Sequence, residues 1–144
     1  MPIASSLLNK PRLVKKLRDF YDYVNKNDGQ VGTKTRGIDL NFNNACNLRC
    51  KYCFTNSPKG DHVKEYLDIG AIKRLADEAD ELGYFEFDLQ GGELLLQPKK
   101  LFEVLEAIKP ERFYMYLTTN GYYLDESMAK KLAEYKVSRV SVSI

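Results

Sequence analysis

The chain has 144 residues, 44% of them hydrophobic and 29% charged, enough for one domain with a packed core. Its net charge of +2 argues against a dedicated nucleic-acid binder, which carries a stronger basic excess. Nothing along it approaches a membrane span, and Met1 to Leu8 lacks the basic start and apolar run of a secretory signal, so a cytoplasmic protein is expected.

The first element predicted is an amphipathic helix over Lys10 to Asn27, where Leu13, Leu17, Phe20 and Val24 recur at three- and four-residue steps. Residues 1–36 hold eight Lys/Arg against three Asp/Glu. That basic start reads either as a solvated helix face or as a contact for an acidic partner or peptide. Asn27-Asp28-Gly29 ends the helix, and Gly29 to Arg36 is a polar linker, so 1–36 is set apart from 37–144.

Strands and helices then alternate. Gly37 to Phe42 reads as a first strand, followed by a cysteine-rich loop and a Pro/Gly/Lys-rich stretch from Ser57 to Lys64. Asp68 can cap a helix running to Leu82, with Gly83 as its stop. Tyr84 to Gln90 is a second strand, and Pro98 opens a helix carrying Leu101, Leu105 and Ile108. Phe113 to Thr118 is a third strand, Asp125 to Tyr135 a further helix, and Val137 to Ile144 a fourth strand. Strands joined by helical crossovers imply an α/β fold with a parallel sheet. The chain ends within that fourth strand, so the 37–144 unit is expected to be the first part of a longer domain.

Parallel strands covered on both faces usually read as unbroken apolar runs. These alternate. Ile38, Leu40 and Phe42 oppose Asp39, Asn41 and Asn43; Phe85, Phe87 and Leu89 oppose Glu86, Asp88 and Gln90. Phe113, Met115 and Leu117 oppose Tyr114, Tyr116, Thr118 and Asn120, while Val140, Val142 and Ile144 oppose Ser141 and Ser143. The apolar face is expected to pack on the helices. The polar face would line a wet cleft, with Asp39, Asn41, Glu86, Asp88 and Gln90 as candidates for a polar cavity, or else face open solvent.

Cys46, Cys50 and Cys53 are the only cysteines, in the run C-N-L-R-C-K-Y-C. They are too few and too close for a disulfide frame. Three thiolates at this spacing can hold three irons of a four-iron cluster and leave the fourth open to a ligand. The loop follows the first strand, at the carboxyl end of the sheet where α/β folds place their sites.

This run, with Tyr52 before its last cysteine, resembles the signature of radical S-adenosylmethionine (SAM) enzymes. Gly91-Gly92-Glu93, Thr118-Thr119-Asn120-Gly121 and Ser141-Val142-Ser143-Ile144 match further pieces in the right order. The resemblance implies a partial (β/α)6 TIM-like barrel, of which the first four strands are present. It also implies a [4Fe–4S] cluster on Cys46, Cys50 and Cys53, whose open iron is chelated by SAM. One-electron cleavage of SAM would give a 5′-deoxyadenosyl radical that takes hydrogen from a substrate. The resemblance places SAM against Tyr52, Gly91, Gly92, Glu93, Thr118, Asn120 and Ser143. Gly91 and Gly92 would let backbone approach the methionine part, and the Glu93 carboxylate would accept from the SAM amine. A flavodoxin or ferredoxin reductant is implied, and the wording of the cysteine run resembles enzymes acting on ribosomal peptides or cofactor precursors. Leu94 stands where the family often has proline, which should alter the loop only slightly. The competing reading is a non-catalytic zinc or iron–sulfur scaffold mediating protein contacts, with His62 as a fourth zinc ligand.

Overall fold

A computed structural model describes Leu7 and residues 9–41, 43–57 and 67–143. Phe42, His62, most of the 57–64 stretch and Ile144, all named above, lie outside the described residues. The elements are α1 (Pro11–Lys26), β1 (Gly37–Asn41), α2 (Ile69–Glu81), β2 (Glu86–Gln90), α3 (Pro98–Ile108), β3 (Tyr114–Thr119), α4 (Glu126–Glu134) and β4 (Arg139–Val142). Two short 3-10 turns, Leu94–Leu96 and Pro110–Arg112, were not legible in the periodicity because three residues carry no period.

The four strands form one sheet in the order β1-β2-β3-β4, every neighbouring pair parallel. The expected α/β architecture is therefore present. Helix starts follow local chemistry: Asp68 accepts from Ala71 N and Asp125 from Met128 N, while Pro opens α1 and α3.

The alternation sorts the sheet into two faces. Leu40, Phe87, Leu89, Met115 and Leu117 are buried against Ile72, Ala76, Leu101, Leu105 and Ile108 of α2 and α3. Phe87 and Phe113 meet edge to face at 5.3 Å with neither ring exposed. Burying each such ring contributes about 1.5–3 kcal/mol. On the other face, Glu86, Asp88, Gln90, Tyr114, Tyr116 and Thr118 are half-buried and Asp39 and Asn41 exposed.

Part of the basic amino-terminal run is used inside the molecule. Lys10 is 3% exposed. Its ammonium donates to the carbonyls of Pro110 (3.0 Å), Phe113 (3.0 Å) and Lys136 (2.6 Å) and to Ser138 Oγ (2.8 Å). Those carbonyls lie just past the ends of α3 and α4, where a cation is favoured. Burial, and then the nearby Lys136 charge, pull the Lys10 ammonium down to about 8. Next to it, the buried Asp80 of α2 pairs with Lys16 (2.5 Å), Arg12 (2.7 Å) and Arg112 (3.4 Å). Lys16 also donates to Tyr84 O and Arg112 O. These partners all precede β2, β3 or β4. Helix α1 is thus bound at the amino end of the sheet, opposite the cysteine loop, which leaves the carboxyl end for a site.

Candidate functional site

Because every strand runs the same way, the loops after β1, β2, β3 and β4 meet at one end of the sheet. They are stitched together by backbone. Gly92 N donates to Asn43 O at 2.8 Å and Glu93 N to Ala45 O at 2.6 Å, joining the Gly-Gly-Glu turn to the cysteine loop. Asn120 Nδ2 donates to Asn47 Oδ1 at 2.9 Å, joining the β3 loop to the same segment. Ser143 N donates to Thr119 O at 2.9 Å and ties in the end of β4.

The two glycines are required by this closeness. Gly91 has φ of 153°, and a Cβ on it would lie 2.3 Å from Asn43 O. A Cβ on Gly92 would lie 2.0 Å from Ala45 O. The resemblance assigned these glycines to the approach of a ligand; the geometry shows them also admitting the cysteine loop itself.

Glu93 has no exposed surface. Its carboxylate accepts from Leu95 N (2.8 Å), Thr119 Oγ1 (2.6 Å) and Asn120 N (2.7 Å). Both oxygens therefore accept from the protein, two donors reaching Oε1 and one reaching Oε2. Leu94, also fully buried, starts the 3-10 turn that Glu93 caps. Thr119, 2% exposed, is a residue that sequence reasoning passed over in favour of Thr118. The doublet Thr118-Thr119 was the available signal: in a strand the two hydroxyls point to opposite faces. Thr118 lies on the polar face beside Ser141 in the β3–β4 register, and Ser143 is exposed beyond them.

The cysteines form no disulfide; Cys46 is half-buried and Cys50 and Cys53 are exposed. Cys46 Sγ accepts from Leu48 N at 3.4 Å and Asn120 Nδ2 at 3.9 Å. Cys53 Sγ shares a hydrogen bond with the Thr55 hydroxyl (3.5 Å) and accepts from Ser57 N (3.4 Å). The Thr55 contact first, and Ser57 N–H next, bring the Cys53 thiol down to about 7. Among the described residues no three His, Cys, Asp or Glu side chains already converge on a metal-sized point.

The donor set nevertheless fits an iron–sulfur cluster with an amino-acid ligand. Three soft sulfur donors share one loop, and N–H groups reach two of them. Asn43, 5% exposed, donates nothing from its buried Nδ2, although its Oδ1 accepts from Ala45 N. A buried amide proton without a partner is costly, so such a group marks a place for an acceptor. Tyr52 and Phe54 flank Cys53 with 87% and 92% of their surface exposed, and the Lys51 ammonium lies over the Tyr52 ring at 5.6 Å.

The polar face below this site is acidic. Asp39 lies opposite Asp88 in the β1–β2 register, with Glu86 two residues before Asp88 on the same face. Burial first, then the Asp39 and Glu86 charges, push the Asp88 carboxyl up to about 6, and its buried Oδ1 has no hydrogen-bond partner. An acid whose folded value is raised is least destabilising while protonated. Stability is therefore lost as pH climbs from the ordinary carboxylate range through about 6. Asp88→Asn should accordingly stabilise the protein by about 1 kcal/mol at pH 7.5, a figure reduced for solvent screening, and change little at pH 4. Urea unfolding at the two pH values checks this; an equal effect at both would contradict it.

Three comparisons bear on the chain. The family model described as "Radical SAM superfamily" matches residues 40–144. A "Probable GTP 3',8-cyclase" of Methanocaldococcus jannaschii is 34% identical over 116 residues, covering 80% of this chain and 38% of that protein. A "Cysteine-type anaerobic sulfatase-maturating enzyme" of Clostridium perfringens is 38% identical over 104 residues, covering 63% of this chain and 28% of that protein. The chain thus spans well under half the length of these relatives. Among solved structures, BtrN in an open conformation superposes with a TM-score of 0.60 at 23% identity, covering 77% of this chain and 50% of the other. Streptococcus suis SuiB, solved with its precursor peptide SuiA, gives 0.56 at 18%, covering 83% of this chain and 26% of the other. At these identities the structural matches show the fold alone.

Proposed function

Since the chain belongs to the radical SAM superfamily, whose members use a [4Fe–4S] cluster and SAM, we propose that residues 37–144 supply the cofactor-binding part of a radical SAM enzyme. The observation that carries this is the three-cysteine loop bonded directly to the Gly-Gly-Glu and Thr-Thr-Asn-Gly loops at the carboxyl end of a parallel sheet. When bound, the cluster and SAM together supply one-electron cleavage of a carbon–sulfur bond and a radical that takes hydrogen from substrate.

The chain's own residues divide the remaining work. Cys46, Cys50 and Cys53 would hold three of the irons. Gly91 and Gly92 keep the space beside the cysteine loop free of side chains, so backbone polar groups can meet the amino-acid end of SAM. Glu93 holds the three loops in register from below, and the buried Asn43 amide supplies a donor. Thr118 and Ser143 would face the nucleoside side, and the exposed Tyr52 ring would stack on the adenine. The polar face beneath, where Glu86, Asp88 and Gln90 are half-buried and Asp39 and Asn41 exposed, meets the substrate.

The substrate we assign is a peptide or a cofactor precursor; the printed names of two relatives specify a protein, a sulfatase, and a nucleotide, GTP. The reductant is a small acidic redox protein of the flavodoxin or ferredoxin kind. It would approach the exposed Cys50 and Cys53, where Arg49 and Lys51 supply opposite charge. Such chemistry belongs in the cytoplasm; among the described residues no helix is long and apolar enough to cross a membrane.

Anaerobic reconstitution with iron and sulfide tests the proposal. The expected product is brown, and it releases 5′-deoxyadenosine from SAM on reduction. Cys50→Ala should lose the color and the release together. A colorless protein holding one zinc per chain would instead favor a binding scaffold.

A further inference from the structure

An asparagine amide has two N–H donors and one acceptor oxygen. All of these can be followed in Asn120. Its Oδ1 accepts from Tyr122 N at 3.0 Å, and its Nδ2 donates one proton to Asn47 Oδ1 at 2.9 Å. Its backbone N–H goes to Glu93 Oε2 at 2.7 Å. The remaining amide proton has Cys46 Sγ as its partner at 3.9 Å, long for oxygen but within range for the larger, more diffuse sulfur. Cys46 Sγ also accepts from Leu48 N, and Cys46 is the one cysteine of the three that is not exposed.

Hydrogen bonds to ligand sulfur stabilise the more negative, reduced form of an iron–sulfur cluster and raise its potential. The effect grows as less solvent reaches the sulfur, which favours the half-buried Cys46 over the exposed Cys50 and Cys53. The geometry points to Asn120 as a positioning residue for the cluster: its side-chain amide donates to the Cys46 sulfur and raises the potential at which the cluster accepts an electron. The Glu93 carboxylate holds Asn120 in that place through the backbone, so the buried hub beneath the loops governs the electron-accepting step. This assignment rests on Cys46 being a cluster ligand. It also differs from a SAM contact in a measurable way, because it acts before SAM is present.

The experiment is a redox titration of the reconstituted protein without SAM, followed by EPR, on wild type, Asn120→Asp and Asn120→Ala. Asn120→Asp keeps an oxygen for Tyr122 N and removes the donor; Asn120→Ala removes the donor without adding charge. At a fixed poise near the wild-type midpoint, the reduced-to-oxidised ratio should fall about tenfold in Asn120→Asp, equivalent to 59 mV for a one-electron couple. It should fall in the same direction, by a smaller factor, in Asn120→Ala. Unchanged ratios in both iron-loaded variants, with weakened SAM binding, would overturn the inference and give Asn120 to the nucleoside. A wild-type chain that takes up no iron would remove the cluster reading as well, so the two failures are distinguishable.

Discussion

Gly92→Ala is expected to cut 5′-deoxyadenosine formation by about 10²-fold or more, the usual consequence of displacing a reacting group by about 1 Å. The added Cβ would lie 2.0 Å from Ala45 O, against rigid backbone that no side-chain rotation can clear. One of the two segments must move. The hydrogen bond from Glu93 N to Ala45 O, 2.6 Å long, lies at that contact and would break with the movement. The cysteine loop would then lose its register against the Gly-Gly-Glu turn. Overpacking of this kind costs about 1–3 kcal/mol, so the chain should still fold while activity collapses. The check is SAM cleavage by the reduced, iron-loaded variant alongside its unfolding midpoint. A variant cleaving SAM at close to the wild-type rate would show that the loops do not need this contact.

Glu93→Ala should destabilise the fold by about 3–5 kcal/mol, since each buried donor left without an acceptor costs about 1–3 kcal/mol. Three donors would lose their acceptor at once: Leu95 N, Thr119 Oγ1 and Asn120 N. Glu93→Gln keeps the shape but turns an amide N–H toward one of those donors, and should cost about 1–3 kcal/mol. Urea unfolding of both variants decides the matter. A loss below about 1 kcal/mol, joined to a selective loss of SAM affinity, would leave the carboxylate only the SAM-binding role that the resemblance implies. The network also predicts its own coupling. Thr119→Val and Glu93→Gln together should cost less than the sum of the two single changes, because they remove members of one hydrogen-bonded set.

The strand–helix order was legible because it repeats. Ile38/Leu40, Phe87/Leu89 and Met115/Leu117 mark a period of two, and the helices between them a period near 3.6. Boundaries were less so. Tyr84 and Phe85 read as strand, yet β2 begins at Glu86. The turn lies at Leu82 and Gly83, Tyr84 N still bonds back to Ala79 O, and Phe85 already bonds to Arg36 O and Tyr114 N on either side. The cysteine run and its neighbours at the strand ends were also legible, since parallel topology sends every such loop to the same side.

The amino-terminal basic run illustrates the opposite case. By composition, Lys10 and Lys16 are indistinguishable from Lys15, which stays on the surface with Asp19. Lys10 is buried because Ser138, 128 residues away, and the carbonyls near the ends of α3 and α4 surround its ammonium. Lys16 is buried because Asp80 faces it from α2.

By itself, then, the order of residues determined which chemistry is present, three sulfurs in one loop, and which face of each strand is polar. Both are local properties, set by spacing along the backbone and by the alternation of Cβ directions. Only the tertiary structure decided that the Glu93 carboxylate turns inward, that Thr119 rather than Thr118 meets it, and that the Asn120 amide reaches the Cys46 sulfur. Those contacts join residues 26 and 74 positions apart, and no periodicity records which two loops a folded sheet will bring within hydrogen-bonding distance.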